Sequence, residues 1–431
     1  MSKTYQTNDV SATEVAVPET VTVAMAEIAE DMGEGLLALA VGAGLQVMAT
    51  LMQADVAAVA GSRGKHHPDR VGVRHGTERG SVTLGGHRVP VQRPRVRAAD
   101  GSGELAVPAY ELFSSTEILG RMAMERMLGG LSTRRYRVGL EPVGATVEMT
   151  ASATSKSAVS RRFVAMTETA LGELLGADLH DLDLVALMVD GVHFADHLCI
   201  VALGIDIDGV KHPLAIVEGS TENATLVRTL MVDLRERGLD VTRPILAVLD
   251  GSKALRRAVL DVFDKPVIAR CQLHKIRNVR DHLPQRLRGP VESRMRDAYH
   301  ADSALDAQAQ LEVLARELDK THPGAAGSLR EGLAETLAVL RLGVPPTLAR
   351  TLRSTNAIES MISICREYRN VKRWRDGTMA LRWCAAGMVE ASKQFRRVNG
   401  HLHLQTLRAA LEAETAETVR PTCRDETVTA A

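Results

Sequence analysis

The sequence predicts an α/β core built on a mixed β-sheet, with one helical region before it and another after it. Two short apolar runs, 182–190 and 244–250, each end in Asp-Gly, and such runs are typical of strands buried on both faces of a sheet. Between and after them the pattern alternates between strand and helix, which favours parallel strands joined by helices. The carboxyl ends of such strands are where α/β proteins bind their ligands.

Composition sets broad limits on the kind of protein. A chain of 431 residues is long enough for more than one domain. Lys and Arg together equal Asp and Glu at 53 each, so the overall charge indicates no partner and only the charge distribution can. The five cysteines are scattered and odd in number, which argues against a disulfide framework and favours a reducing cytoplasm.

The N-terminal 60 residues contain the most apolar stretch of the chain. Residues 1–20 are polar, are predicted to be a disordered tail, and lack the pattern of a secretory signal. Residues 21–60 are predicted to be helical. The apolar part, 35–52, is interrupted by three glycines and Gln46 and has no basic flank, so we interpret it as a buried or self-associating helix and expect no membrane span.

Residues 61–100 are predicted to form a basic β-hairpin region. The segment 81–91 has strand patterns on both sides of Gly85-Gly86, a typical hairpin turn. Only Asp69 and Glu78 oppose the nine basic residues of 61–97, which are Arg63, Lys65, Arg70, Arg74, Arg79, Arg88, Arg93, Arg95 and Arg97. Such one-sided charge favours contact with DNA phosphates, for which we select Arg93, Arg95 and Arg97; a solvated loop is the alternative.

Residues 101–180 are predicted to be a helical, helix-turn-helix-like DNA-binding region. Two pieces, 127–136 and 154–163, combine small residues with cations, a composition that suits a recognition helix. Ordinary surface helices share this composition, so that alternative stays open. The candidate DNA contacts are Arg134, Arg135, Lys156, Arg161 and Arg162.

Residues 181–285 are predicted to be the first part of the catalytic core. After the first Asp-Gly strand come a hairpin through 197–218, a helix from 222, the second Asp-Gly strand, a helix through 254–263, a short strand at 267–269 and a helix from Cys271. The order β-β-β-α-β-α-β-α is that of a ribonuclease-H-like fold. In it the strands that carry Asp190 and Asp250 are parallel and adjacent, which brings the two carboxylates together and favours a bound cation. The alternative is that Asp-Gly only provides a turn.

The rest of the chain is predicted to be helical. Residues 286–346 are interpreted as an all-helical insertion that stops at Pro345-Pro346, and 347–414 as the last helices of the core. The segment 353–359 is typical of a capped helix start and carries Glu359. The basic stretch beyond it suggests DNA contacts at Lys372, Arg373 and Trp374, although core packing is the alternative for Trp374 or Trp383. Residues 415–431 are predicted to be a disordered tail.

Four motifs in this order resemble a known family. Asp190-Gly191, Asp250-Gly251, Cys271-Gln272-Leu273-His274 and Thr355-Asn356-Ala357-Ile358-Glu359 look like the signature of Mutator-type bacterial insertion-sequence transposases, which are DDE recombinases with a ribonuclease-H-like core. The resemblance covers roughly residues 60–410. It implies that Asp190, Asp250 and Glu359 are the catalytic triad and that Cys271 and His274 are the family's Cys-x-x-His pair. Glu367, further along the same predicted helix, is the competing third carboxylate.

The resemblance also implies the reaction and its requirements. A transposase binds double-stranded DNA at the terminal inverted repeats of its element, cleaves it and joins the 3′-OH to target DNA, and we expect a homodimer or higher oligomer on DNA. Three carboxylates suit Mg²⁺, with Mn²⁺ as a substitute, because hard cations prefer oxygen ligands. Cys271 and His274 are only two of the four ligands that a structural zinc needs, which argues against zinc. The alternative functions are a nuclease of the same fold and a transposase-derived DNA-binding regulator.

Overall fold

The computed structural model describes residues 36–65, 67–140, 143, 145–219, 223–366, 371 and 373–419. The chain forms two compact units, one of Met1–Arg126 with Thr133–Arg162 and one of Met127–Ser132 with Phe163–Ala431. The predicted tail 1–20, the start of the predicted helix 21–60 and the positions Glu367 and Lys372 lie outside the described residues.

The first unit is organised around a β-hairpin and a long helix. The hairpin predicted for 81–91 is present and longer than expected, because its antiparallel strands begin and end well outside that range. Gly85 and Gly86 form its turn with φ of 55° and 84°, which glycine adopts without a Cβ clash. The elements are α1 (Leu36–Ala60), β1 (Gly72–Leu84), β2 (His87–Ala98), β3 (Glu104–Leu105), α2 (Pro108–Ser114), α3 (Glu117–Leu128) and α4 (Ala145–Thr150).

Helix α1 packs through only part of its surface. Met52, Val56 and Ala60 form a small core with Val96 of β2 and Val107. The stretch Ala40–Ala60 is long and apolar enough to cross a membrane by length and composition alone, and only 17% of its most apolar part is buried. The prediction of a buried helix is therefore correct only for the face on the hairpin, and self-association stays a prediction.

The two predicted helix-turn-helix pieces have different structures. The first, 127–136, is not a pair of helices: α3 ends at Leu128, and after a turn only a short 3₁₀ segment, Tyr136–Gly139, follows. The second begins helix α5 (Lys156–Gly176), whose start is capped by Ser155, because its Oγ accepts from the Ala158 N–H at 3.3 Å.

The second unit contains the predicted mixed sheet, and its five strands lie in the order β6-β5-β4-β7-β8. β5 pairs antiparallel with both β4 and β6, and β7 pairs parallel with both β4 and β8. The prediction that the strands bearing Asp190 and Asp250 are adjacent and parallel is thus confirmed. The strands are β4 (Leu184–Phe194), β5 (His197–Asp206), β6 (Lys211–Gly219), β7 (Ile245–Leu249) and β8 (Pro266–Arg270).

One strand boundary differs from the sequence prediction. β4 does not end at Asp190 but continues to Phe194, which pairs with His197 across the hairpin turn. The reason is that Val192 and Phe194 are buried and extend the antiparallel pairing with β5. The parallel pairing of β4 with β7 ends at Met188, so Asp190 still lies just beyond the parallel part of the sheet.

Helices cover both faces of this sheet. One face packs against α6 (Ala224–Glu236) and α7 (Lys253–Val262) through an apolar core. The opposite face packs against α15 (Asn356–Cys365), α16 (Gly377–Ser392) and α17 (Leu404–Val419). Helix α17 runs past residue 415, where the tail was predicted to begin, and residues 420–431 lie outside the described residues.

Every element between β8 and α15 is helical, and most of these helices share a third apolar core. The predicted stop at Pro345-Pro346 is a gap between two helices, because Pro346 is the first residue of the next helix, a position where proline is favourable. These helices are α8 (Gln272–Asp281), α9 (Gln285–Ala298), α10 (Ala304–Asp319), α11 (Pro323–Arg330), α12 (Leu333–Thr336), α13 (Ala338–Arg341) and α14 (Pro346–Leu352).

Candidate active site

The three predicted catalytic carboxylates come from three separate elements of the second unit. Asp190 is on β4 beyond its parallel pairing with β7, Asp250 directly follows β7, and Glu359 is in the first turn of α15. Ile358 of α15 belongs to the apolar core on one face of the sheet, so packing fixes the start of this helix against the strands.

Asp190 is influenced by burial and by the other two carboxylates. The pKa of Asp190 is raised to about 6, chiefly because burial disfavours its charged form. The charges of Asp250 and Glu359 act in the same direction, whereas the Gly191 N–H and His274 oppose them. The Gly191 N–H donates to Asp190 Oδ1 at 2.8 Å. A partly buried carboxylate with two like-charged neighbours is typical of a site that receives a cation.

Asp250 is oriented by the turn that follows it. Its Oδ1 accepts a hydrogen bond from the Ser252 N–H at 2.7 Å, and Gly251 has a φ of 108°. This conformation favours glycine, which explains the Asp-Gly motif locally. The turn therefore both ends the strand and fixes the carboxylate, so the turn interpretation and the site interpretation are compatible.

Glu359 is oriented by side chains instead. The Thr355 hydroxyl donates to Glu359 Oε1 at 2.9 Å, and His274 Nε2 lies 3.7 Å from the same oxygen. Thr355 is fully buried, and its side chain does not cap the helix. Sequence reasoning missed this role of Thr355. A threonine four residues before a glutamate was the available signal, because residues at that spacing share one face of a helix.

Cys271 and His274 lie beside this group. The Thr355 N–H donates to Cys271 Sγ at 3.4 Å, and the Thr355 hydroxyl is 3.5 Å from His274 Nδ1. The pKa of His274 is raised, chiefly by its hydrogen bond with Cys271. Burial acts to lower this pKa, whereas the charges of Cys271, Glu359 and Asp190 raise it further.

The pKa of Cys271 is lowered. Burial alone would raise this pKa, but the hydrogen bonds with His274 and Thr355 outweigh burial. The pair is thus connected to the third carboxylate.

The donor chemistry of this site fits a hard divalent cation, because its carboxylates are oxygen ligands and Asp190 is held in an anionic setting. Among the described residues, no three His, Cys, Asp or Glu side chains are gathered closely enough to hold an ion. Asp250 and Glu359 thus affect the pKa of Asp190, but the three carboxylates do not converge on one point.

The predicted DNA contacts on the hairpin differ in availability. Arg93 pairs with Glu78 at 2.7 Å, and Arg95 pairs with Glu104 at 2.6 Å, whereas Arg97 is exposed. Glu104 lies outside the basic segment, so its pairing was missed by the sequence. These ion pairs are at the surface and contribute little to stability, which leaves both arginines able to exchange a carboxylate for a phosphate.

The other candidate contacts of the first unit are mostly exposed. One exception is Arg162, whose Nη1 donates to the Ala153 carbonyl at 2.5 Å and which is half-buried. Because its guanidinium is occupied by this local hydrogen bond, Arg162 is a poor candidate for contact with base edges. The exposed candidates are Arg134, Arg135, Lys156 and Arg161.

The tryptophans of the second unit belong to an aromatic cluster. The Trp374 ring lies 4.8 Å from Phe194 and 5.8 Å from Trp383, measured between ring centroids. Trp383 is buried, so the core-packing alternative is correct for it. Trp374 is half-buried and Arg373 exposed, and their DNA contacts stay predictions.

Comparison with known proteins gives one family. The family model described as "Transposase, Mutator family" matches residues 19–398. The chain is 25% identical over 369 residues to the transposase for insertion sequence element ISRM5 of Rhizobium meliloti, covering 84% of this chain and 90% of that protein. It is 29% identical over 246 residues to the transposase for IS6120 of Mycolicibacterium smegmatis, covering 56% and 73%. It is 24% identical over 304 residues to the transposase for IS256 in transposon Tn4001 of Staphylococcus aureus, covering 68% and 74%.

Proposed function

Because the chain belongs to the Mutator family of transposases, we propose that it binds the ends of an insertion sequence, cleaves DNA there and joins the freed 3′-OH to target DNA. Asp190, Asp250 and Glu359 are the catalytic residues of this proposal. The observation that carries it is the raised pKa of Asp190, which burial chiefly causes and to which the charges of Asp250 and Glu359 add. Charges from two other elements therefore reach Asp190, which supports placing the three acids in one site.

The fold that we propose for the catalytic unit is ribonuclease-H-like. The element order β4-β5-β6-α6-β7-α7-β8-α8 follows the β-β-β-α-β-α-β-α order expected from the sequence. The sheet order β6-β5-β4-β7-β8 supports it, because it places the two aspartates on neighbouring strands. The helices from α9 to α14 then form an insertion before α15, which carries Glu359.

The chemistry requires a divalent cation, which we propose to be Mg²⁺ or Mn²⁺ held by Asp190, Asp250 and Glu359. When bound, such ions activate the attacking oxygen and stabilise the leaving oxygen of an in-line displacement at phosphorus. Zinc fits less well, because Cys271 and His274 supply only two ligands and the Cys271 thiol is already in contact with Thr355.

The protein itself orients these carboxylates before the reaction. Backbone amides of Gly191 and Ser252 hold one oxygen of each aspartate, and the Thr355 hydroxyl holds Glu359 Oε1. Partial burial of Asp190 excludes bulk water from this side of the site. Water is the nucleophile for cleavage, and the freed 3′-OH is the nucleophile for joining.

DNA recognition belongs in this proposal to the first unit. Its exposed cations Arg97, Arg134, Arg135, Lys156 and Arg161, together with Arg93 and Arg95, contact the phosphates of double-stranded DNA. The protein acts in the cytoplasm as a homodimer or higher oligomer on DNA, to which the exposed surface of α1 contributes. Neutralising Arg97 should lower the affinity for all DNA sequences and reduce the slope of log affinity against log salt by about one.

The decisive experiment uses the purified full chain, Mg²⁺ and a labelled duplex containing the DNA that flanks the gene in its host. The proposal expects nicked DNA and a joined product, both lost in Asp190→Asn. Cleavage without joining would support the nuclease alternative. Binding without Mg²⁺-dependent nicking would support the DNA-binding regulator.

A further inference from the structure

A small cavity lies beside the catalytic helix and has a lining of unusual charge. Its volume is about 210 Å³, and its walls come from α8, α9 and the segment after it, α14 and the start of α15. Three arginines line it: Arg296 of α9, Arg350 of α14, and Arg353, which follows α14. None of the described residues that line the cavity is an aspartate or glutamate.

Arg353 has a neutral partner instead of an acidic one. Its Nη1 donates to His300 Nε2 at 2.8 Å. His300 Nδ1 lies 2.6 Å from the carbonyl oxygen of Arg296, so Nδ1 carries the proton and Nε2 is free to accept. Within the described part of the chain, neither Arg353 nor Arg350 forms an ion pair.

The three cations are crowded together. Burial lowers the pKa of Arg353, and the charges of Arg350 and Arg296 lower it further. Arg296 pairs with Glu292 at 2.7 Å, but Glu292 does not line the cavity. Arg353 is half-buried and Arg350 is exposed, and neither has an acidic partner within the described part of the chain. Like charges near a partly buried cation are unfavourable, and such a cluster is more typical of a binding site than of a structural contact.

The start of α15 lies at the same cavity. Asn356, the first residue of α15, lines the cavity, and the side chain of Thr355 does not cap this helix start. The N-terminal end of a helix favours anions, so the helix start adds to the attraction of the arginines.

We propose that this cavity binds a backbone phosphate of the DNA strand that enters the active site, an inference that rests on the proposed function. Glu359 is in the first turn of α15, the same turn that begins with Asn356 at the cavity. A phosphate held by Arg350 and Arg353 would therefore fix the position of the strand relative to the third carboxylate. Phosphate contacts set register in this way without reading sequence, and the planar guanidinium suits a phosphate geometrically.

The test measures binding of the full chain to a fluorescent random-sequence duplex, without divalent metal, over a range of salt concentrations. Arg353→Gln and Arg350→Gln should each lower affinity about three- to tenfold and reduce the salt slope by about one. The matched control is Arg294→Gln, because Arg294 is an exposed arginine of α9 that pairs with Glu317 and lies outside the cavity. Its affinity and slope should equal those of the unmodified chain.

A second comparison separates phosphate binding from a structural role. Arg353→Lys keeps the charge, so it should keep the salt slope while losing cleavage activity, because the fork of two donors is gone. If Arg350→Gln and Arg353→Gln keep the original affinity and slope and lower only the melting temperature, the cavity is structural and the inference is wrong.

The failure of this inference can be distinguished from failure of the proposed function. If the unmodified chain cleaves and joins DNA, Asp190→Asn does not, and both glutamine variants bind like the unmodified chain, only the cavity assignment is overturned. If Asp190→Asn keeps full cleavage activity, the catalytic assignment is overturned, and with it the proposal that rests on it.

Discussion

The strand side and the helix side of the candidate active site are held in different ways. On the strand side, Asp190 and Asp250 each accept a hydrogen bond from a backbone amide in the turn or strand that follows them. On the helix side, Glu359 is held by the side chain of Thr355 and lies near His274. Main-chain donors persist whatever side chain is present, whereas side-chain donors can be lost by one substitution. The helix side is therefore the part of the site that mutation can adjust gradually.

The largest expected effect is the loss of strand cleavage, and it should be equal for the two sides. Asp190→Asn, Asp250→Asn and Glu359→Gln should each reduce strand cleavage by about a thousandfold or more, because each removes a charged ligand from a three-ligand set. DNA binding should remain close to that of the unmodified chain. Product formation on a labelled duplex with Mg²⁺ measures the first effect, and fluorescence anisotropy measures the second.

A matched control is available in the same sheet. Asp208-Gly209 is another Asp-Gly pair, and its exposed Asp208 lies in the turn between β5 and β6. Asp208→Asn should leave cleavage unchanged, because this turn has no carboxylate neighbours in the site. Substantial cleavage by any one of the three site variants would remove that residue from the catalytic set.

The next largest effect should separate the two sides. Thr355→Val removes the hydroxyl that orients Glu359, and loss of such a supporting contact typically costs about 10–100-fold in activity or metal affinity. Thr355→Ser keeps a hydroxyl and should restore most of the activity. The measurement is cleavage rate against Mg²⁺ concentration, where Thr355→Val should need more metal.

The corresponding change on the strand side is Ser252→Ala. It leaves the backbone amide that holds Asp250 in place and removes only the hydroxyl that caps α7. We expect a loss of about 1 kcal/mol in the free energy of unfolding and almost no change in Mg²⁺ dependence. An equal shift in Mg²⁺ dependence for Ser252→Ala and Thr355→Val would contradict the distinction between the two sides.

How far the sequence predicts this site depends on whether a contact is local. The strand bearing Asp250 and its turn were predictable, because an apolar run followed by Asp-Gly describes both within one short segment. The end of β4 was predicted wrongly, because its extension to Phe194 depends on pairing with β5. The resemblance to a family supplied Glu359, but not the contact between Thr355 and His274, which are far apart in sequence.

The same reasoning explains what was missed among the charged residues. Counting the basic residues of 61–97 could not show that Glu104 pairs with Arg95, since the partner lies in another strand. The arginine-lined cavity joins Arg296 to Arg350 and Arg353 through the packing of different helices. Sequence patterns predict elements and their order, whereas the partners of long side chains depend on tertiary packing.

A smaller effect should appear in stability on the strand side. The pKa of Asp190 is raised from the ordinary 3.8 to about 6, so between these values the folded chain holds a proton that the unfolded chain has released. The titration of Asp190 therefore makes the folded chain more stable at low pH than at high pH, and this contribution is lost as pH rises through about 6. The full difference corresponds to at most ~3 kcal/mol.

Asp190→Asn cannot undergo this titration. Without divalent metal, it should raise the melting temperature more at pH 8 than at pH 4, because only the unmodified chain then carries a buried charge at pH 8. Thermal unfolding at the two pH values measures this effect. A stability difference independent of pH would mean that Asp190 has an ordinary pKa, and the effects of burial and of the other two carboxylates on it would have to be abandoned.

The smallest effect should come from the outermost residue of the helix side. Cys271→Ser shortens and hardens the group that contacts Thr355 and His274, but leaves the hydroxyl of Thr355 to orient Glu359. We expect cleavage to fall only about two- to fivefold, well below the effect of losing Thr355, because a residue two contacts away acts only through its neighbours.

The hydrogen bond with Cys271 is the largest cause of the raised pKa of His274, so that pKa should move down towards its ordinary value in Cys271→Ser. An NMR titration of the His274 ring protons in the metal-free protein measures this shift, with the same titration of the unmodified chain as the reference. Two outcomes would show that Cys271 is itself a metal ligand: a loss of activity as complete as in Glu359→Gln, or the release of stoichiometric zinc on substitution. The helix side would then be a metal centre and not a set of orienting hydrogen bonds.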